Sequence, residues 1–338
     1  MKKGVLQSLL YEIRPFLYIK RGHGFTMIEL IVAMAVASVV AMSGFALFNQ
    51  SNWSYQVQEN IGEAQQNARV AMDRMVRDIR MAGFGLPEPP YTVLGLKSPI
   101  TVSDATGYNG SDKITILGIG YEAGVLSTAS GENEKEDPYL CYSPTTSGGD
   151  KILAANKVLS SRRYVSVDGV FFAELDTVAS SDVCVGGVQL PLGTPGKLKG
   201  NFDAGTVYVI QAVEYSIATD LKGCSAASPC LVSKDSTGLR GSGNQLLAEN
   251  IEDIQFAYGL DATGDGVLDY TTYTTASFVD STLKESQIRA VRLSVSARTR
   301  KKDSKKHTFK RPAIENHPES GEDNYRRRIL TRIVKVRN

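Results

Sequence analysis

The nine residues Asp261-Ala262-Thr263-Gly264-Asp265-Gly266-Val267-Leu268-Asp269 place oxygen side chains at positions 1, 3, 5 and 9 of a loop with glycine at position 6. Those offsets let a tight turn aim several hard oxygens at one Ca²⁺, with Asp261, Thr263, Asp265, Val267 and Asp269 as candidate ligand positions. Position 12 is Thr272 instead of a bidentate Glu, which weakens any such site. The same residues also read as an Asp-Gly hairpin turn between strands ending at Tyr258 and beginning near Tyr270. Both readings stay open on sequence alone. The chain requires no cofactor, and Ca²⁺ is the one the residues suggest.

The thiols are the second candidate chemistry. Cys141, Cys184, Cys224 and Cys230 are the four cysteines. An even number in a segment expected to face an oxidising compartment suggests two bridges out of three possible pairings, with free thiols as the alternative. Cys224 and Cys230 bracket a short Ser/Ala/Pro loop, which favours Cys224 with Cys230 and Cys141 with Cys184. Metal ligation is disfavoured, because the spacing is not CxxC and no His lies nearby.

A basic run, Arg298, Arg300, Lys301, Lys302, Lys305, Lys306, Lys310 and Arg311, is interrupted by Asp303 and contains one aromatic, Phe309. Phosphate binding would need such a patch. Its position between two strands and its lack of interleaved aromatics favour a solvated hairpin, or a contact to Glu132, Glu134, Glu136 and Asp137. Nucleic acid is disfavoured as a partner. Catalysis finds no support: His307 and His317 are the only histidines beyond His23, and no Gly-rich phosphate loop, HExxH or nucleophile elbow occurs. The chain reads as a non-enzyme.

The elements that must position these residues begin with a membrane segment. The chain has 338 residues, 42% of them hydrophobic, enough for a sizeable core. Its 38 Lys and Arg nearly balance 36 Asp and Glu. Residues 1–24 nevertheless carry Lys2, Lys3, Arg14, Lys20 and Arg21 against Glu12 alone. From Phe25 to Phe48 the only ionisable side chain is Glu29. A helix of that length reaches about 36 Å, more than a hydrocarbon core of about 30 Å. The positive-inside rule then keeps the N-terminus cytoplasmic and exports the remainder. A cleaved secretory signal would have a shorter apolar region. A carboxylate inside such a run costs at least about 2.5 kcal/mol on insertion scales, so Glu29 needs a partner or a place near the interface.

The segment Gly24-Phe25-Thr26-Met27-Ile28-Glu29-Leu30-Ile31-Val32-Ala33-Met34-Ala35 resembles the class III signal of type IV pilins and type II secretion pseudopilins. The resemblance implies cleavage by a prepilin peptidase between Gly24 and Phe25, methylation of the new N-terminus, and pairing of Glu29 with the terminal amine of a neighbouring subunit. It implies as partners other pilins through the N-terminal helix, the peptidase, and the pilus assembly machinery of the inner membrane.

Beyond the membrane, Val57, Ile61, Ala64, Ala68, Ala71, Met75, Ile79 and Ala82 recur at steps of three and four, one stripe on a helix whose other face is charged. Gly83, Gly85, Pro87, Pro89 and Pro90 stop it. One helix is therefore expected from about residue 25 to 82. The stripe suits either a coiled-coil seam or, given its small Ala positions, the cover of a sheet. Residues 113–121, 206–216, 251–258, 290–297 and 329–336 read as strands. The chain divides into a leader (1–24), a transmembrane and assembly helix (25–52), an amphipathic helix continuing into the head (53–86) and a periplasmic β-rich globular domain (91–338). The fold class is α+β, a long N-terminal helix packed on a mainly antiparallel β-sheet head, pilin-like.

Residues 68–83, the segment Ile251-Glu252-Asp253-Ile254-Gln255-Phe256-Ala257-Tyr258-Gly259 and the Arg-rich closing strand ending Arg337-Asn338 are similar to PilW-type minor pilins. Residues 91–205 resemble no family. The resemblance implies a minor pilin that enters or primes a type IV pilus. A type II secretion pseudopilin and a membrane-tethered calcium- or ligand-binding module that never polymerises are the alternatives.

Overall fold

The computed structural model describes residues 24–86, 96, 98–126, 134–144, 163–175, 184, 188–194, 200–235, 243–261, 263–265, 267–268, 285–303 and 307–336. Helix α1 runs from Met27 to Arg80. The chain divides into two compact units, Met1–Val57 and Gln58–Asn338.

In the first unit α1 is long and apolar enough to cross a bilayer, and among the described residues nothing buries its apolar stretch. Met27, Ile28, Leu30, Ile31, Val32, Met34, Phe45 and Leu47 are all exposed. A helix apolar on every side is stable only against lipid or other helices.

In the second unit α1 is amphipathic. Of the predicted stripe, Ala64, Ala68, Ala71, Met75, Ile79 and Ala82 are buried, joined by Met72 and Val76. They share one core with Ile114, Ile116, Val213, Tyr215, Phe256, Leu293, Val295 and Val334, so the stripe covers sheet and is not a coiled-coil seam. Gly83, at φ 78°, provides the left-handed residue that ends the helical turns. Its N–H donates to the Leu117 carbonyl at 2.9 Å. Facing it, Gly118 lacks the Cβ that would lie 2.8 Å from the Met81 carbonyl oxygen, which is what lets the helix end approach the sheet.

Fourteen strands are described: β1 (Ile100–Ser103), β2 (Lys113–Leu126), β3 (Tyr139–Pro144), β4 (Arg163–Val167), β5 (Phe171–Leu175), β6 (Val188–Thr194), β7 (Thr206–Ala218), β8 (Cys230–Asp235), β9 (Asn244–Glu249), β10 (Ile251–Leu260), β11 (Ile288–Arg298), β12 (Phe309–Arg311), β13 (Ser320–Asp323) and β14 (Arg327–Lys335). The five predicted strands lie in β2, β7, β10, β11 and β14, and the architecture is α+β with antiparallel pairing.

Two further features organise the sheets. Strands β10, β11 and β14 form a sheet of their own, in that order, under the helix. In the larger sheet, β2 pairs not only with β1 and β3 but also with β7, so β2, β3, β6, β5, β4 and β7 close into a ring. This small antiparallel barrel has its own core of Leu126, Leu140, Tyr142, Val165, Phe171, Leu190 and Val209. The long strands β2 and β7 belong to both cores: Ile116 and Tyr215 lie under α1, whereas Ala123 and Val207 line the barrel. Register shifts in β2 between Ile119 and Tyr121 and between Glu122 and Gly124 divide the two halves, as expected of bulges that bend and re-aim a strand.

Candidate assembly site

Gly24 and Phe25 are exposed, and α1 begins two residues after Phe25. Thr26 caps it. The Glu29 backbone N–H donates to Thr26 Oγ1 at 3.3 Å. In return the Glu29 carboxylate accepts the Thr26 backbone N–H at 3.0 Å and its hydroxyl at 3.1 Å. This reciprocal pair is a capping box, Thr at the N-cap and Glu at the third helical position. The helix dipole adds a favourable field for a carboxylate in the first turn. Thr26 is not among the site residues expected from sequence, although Thr-x-x-Glu before an apolar run is itself a readable capping signal. The arrangement fixes the helix start at Met27, two residues after Phe25. It leaves Glu29 as the one charge on an uncovered apolar rod.

The turn after β10 uses its carboxylates internally. Asp261 is fully buried. Its Oδ1 accepts the Gly264 N–H at 2.8 Å and faces the Thr263 hydroxyl at 3.4 Å, while its Oδ2 is 3.4 Å from Arg289 Nε. Asp265 Oδ1 accepts the Val267 N–H at 2.8 Å. These are the bonds of an Asx-type turn. Asp269 and Thr272 lie outside the described residues. Among the described residues no group of three or more His, Cys, Asp or Glu side chains is arranged around a metal position.

Cys141 on β3 is bonded to Cys184, with Cα atoms 5.6 Å apart, and Cys224 to Cys230 at 5.7 Å. The first ties the barrel strand β3 to the segment preceding β6. The second closes the connection between β7 and β8.

The basic run does not act as a single patch. Phe309–Arg311 pairs with Ser320–Asp323 in a short hairpin, and Lys310 faces Glu319 at 3.2 Å. Its arginines at either end point inward. Arg298 lies 3.9 Å from Glu252, and Arg311 3.2 Å from Asp253, both acceptors on β10. The ion-pair partners found thus lie in the C-terminal region, not at Glu134 or Asp137; Glu132, Lys305 and Lys306 are outside the described residues. Asp253 also meets His317 Nδ1 at 2.8 Å and Gln255 Nε2 at 2.9 Å. Burial raises the Asp253 carboxyl above its ordinary range despite these partners. Arg327 on β14 completes the set by bonding Glu252 and Asp323. Burial would lower its pKa, but bonds from both carboxylates outweigh it and hold the guanidinium charged. These contacts strap the hairpin across the face of the β10-β11-β14 sheet opposite the helix. They make a structural lock with no nucleophile in it.

Two families match the chain. Residues 19–45 match the Prokaryotic N-terminal methylation motif, and residues 214–338 match Type IV Pilus-assembly protein W. Its N-terminal segment is thus similar to a type IV pilin signal and its C-terminal part to PilW. The signal spans Gly24, Phe25, Thr26 and Glu29, so the capping box and the implied cut lie within it. The PilW match starts within β7 and takes in β8 to β14, including the buried Glu252, Asp253, Arg298, Arg311 and Arg327 lock. Residues 46–213, which hold the helix stripe and most of the barrel, lie outside both matches. No curated protein and no solved structure matches the chain.

Proposed function

We propose that this chain is a minor pilin, cut by a prepilin peptidase between Gly24 and Phe25 and then incorporated into, or used to prime, a type IV pilus. The observation that carries the reading is the apolar half of α1, uncovered among the described residues, with Glu29 at its start held by Thr26. In a bilayer lipid satisfies that surface; in a fibre, the same surface of neighbouring subunits does. Cleavage creates a cationic amine at Phe25. A carboxylate in apolar surroundings and an amine from the next subunit then offset a desolvation neither bears well alone. Glu29 in this way sets the axial register of the subunit. The PilW domain and the methylation motif support a membrane-anchored pilin whose partners are other pilins and the assembly machinery. The two disulfides suit a head exported to the periplasm, an oxidising compartment. The role is structural, and the motor for extraction from the bilayer is a separate assembly ATPase.

Mass spectrometry of the N-terminal peptide tests the processing step. The expected product starts at Phe25 and carries one extra methyl group; a chain retaining Met1, or trimmed elsewhere, refutes it. Glu29→Gln is expected to be processed normally yet lost from fibres. Normal incorporation of that variant would remove Glu29 from the mechanism. Loss of twitching on deletion separates a pilus component from a secretion pseudopilin, whose deletion stops protein export.

A further inference from the structure

The sheet under the helix has two dissimilar borders. Every residue of β10 is buried. On β14, by contrast, Val334 is the only buried residue of the nine, and the strand ends the order β10-β11-β14. Among the described residues, then, no strand pairs with its outer border, which presents main-chain groups along nine residues. Register against β11 sorts its side chains into two rows. Arg328, Leu330, Arg332 and Val334 lie opposite Ala297, Val295, Leu293 and Val291, the helix-facing residues of β11; Ile329, Thr331 and Ile333 lie on the other face. Ile329 and Ile333 are 39% and 53% exposed, large apolar side chains on an open strand.

The helix-facing row meets a second cationic element. Arg77 and Arg80 of α1 join Arg332, Lys335, Val76 and Met81 around a cavity of about 560 Å³. Asp73, also in its wall, is the single carboxylate there among the described residues and pairs with Arg332 at 3.1 Å. Among the described residues, no carboxylate lies within ion-pair distance of Arg77, Arg80, Arg328 or Lys335. A second copy of this chain is a poor occupant, because edge-to-edge pairing would set Arg328 and Arg332 against their own equivalents.

We infer that the outer border of β14 is a docking edge for an extended acidic segment of another protein, which adds to the sheet as a fourth strand. Its apolar residues, every second position, lie on Ile329 and Ile333. Its carboxylates, at the intervening positions, reach Arg328 and the cavity of Arg77, Arg80, Arg332 and Lys335. Main-chain bonds supply the common term of such strand addition, and the alternating side chains supply selectivity. This inference is independent of the pilus reading, since it needs neither cleavage at Gly24 nor polymerisation.

The test uses the full chain in detergent micelles and a fluorescent nonapeptide of alternating Glu and Val. Saturable binding is expected, weakened about tenfold or more by Arg80→Glu/Lys335→Glu and by raised salt. A peptide of the same sequence with alternate main-chain nitrogens methylated should lose binding, as should one with Lys in place of Glu. Equal binding of the methylated peptide would overturn strand addition in favour of a loose ionic patch. So would stronger retention of duplex DNA or of phosphatidylglycerol vesicles than of the peptide, if abolished by the same charge reversal. Absence of peptide binding at millimolar concentration would show that the cations serve only to keep an open edge from aggregating.

Discussion

Arg327→Ala is expected to loosen the closing strand from the sheet it borders. The guanidinium is 7% exposed and bridges Glu252, 6% exposed, to Asp323, 35% exposed. Its removal leaves the Glu252 carboxylate buried, with Arg298 Nη1 at 3.9 Å and the Ser296 hydroxyl at 3.3 Å as remaining partners. Breaking one side of a buried ion pair costs about 3–5 kcal/mol. Because Arg298 remains, the lower end, about 3 kcal/mol, is appropriate. The Asp323 contact, a third exposed and screened by water, adds little. With an unfolding entropy of about 2 cal/mol/K per residue, 3 kcal/mol over the 58–338 unit corresponds to a fall in Tm of about 5 °C. Thermal unfolding of the full chain in detergent, followed by far-ultraviolet circular dichroism, reads this directly. The companion variant Glu252→Gln/Arg327→Ala removes the stranded charge and should recover part of the loss. A shift below about 1 °C, or a double variant no more stable than Arg327→Ala, would refute the claim that an unpaired buried carboxylate is what destabilises.

Three further outcomes follow from particular contacts. Met75→Ala, at a fully buried site between α1 and both sheets, should cost about 2–5 kcal/mol in the same unfolding measurement. Reduction or paired Cys→Ser replacement should be uneven: bridges spanning 43 and 6 residues constrain the unfolded chain by about 4 and about 2 kcal/mol, so loss of Cys141–Cys184 should lower Tm more. Asp112 is buried, which pushes its carboxyl up to about 7 although it accepts the N–H groups of Ala105 and Phe256. The folded state then holds a proton that the unfolded state releases near pH 4, so stability should decline between about pH 4 and pH 7, by at most about 1.4 kcal/mol per pH unit. Asp112→Asn should flatten that slope in denaturant titrations run across the range; an unchanged slope would assign it to other groups.

What could be read from the sequence was whatever is written in local periodicity. The three-and-four spacing from Ala64 to Ala82 emerges as the buried face of α1, and the alternation of Val291, Leu293 and Val295 as the helix-facing row of β11; the intervening Ser294 and Ser296, expected to be wet, are buried as well, because the 309–323 hairpin covers their face. The barrel could not be read in this way. Its strands β3 to β6 are short runs between Gly, Ser and Thr clusters, and closure depends on β2 meeting β7 across nearly a hundred residues of chain. Nor does a run of Lys and Arg disclose that Arg298 and Arg311 turn inward, because their acceptors Glu252 and Asp253 sit on a strand about fifty residues earlier. At the N-terminus the apolar run and its lone carboxylate are plain in the sequence, and the carboxylate's nearest partner is the local one, Thr26.

The closure of β2 on β7 also bears on how such a head can be lengthened or trimmed. Val125 and Thr206 stand directly opposite each other at the far end of the β2–β7 ladder, so the whole excursion from 127 to 205 leaves and returns at adjacent points. The chain there behaves as a cassette mounted on a hairpin. Exchanging it for a tight turn, with Leu126, Val207 and Val209 made polar, would keep the helix cover and the Glu252, Asp253 and Arg327 lock while giving that end of the β2–β7 ladder a different surface. A lineage could therefore change what that end of the barrel touches without disturbing the helix cover or the β10-β11-β14 sheet.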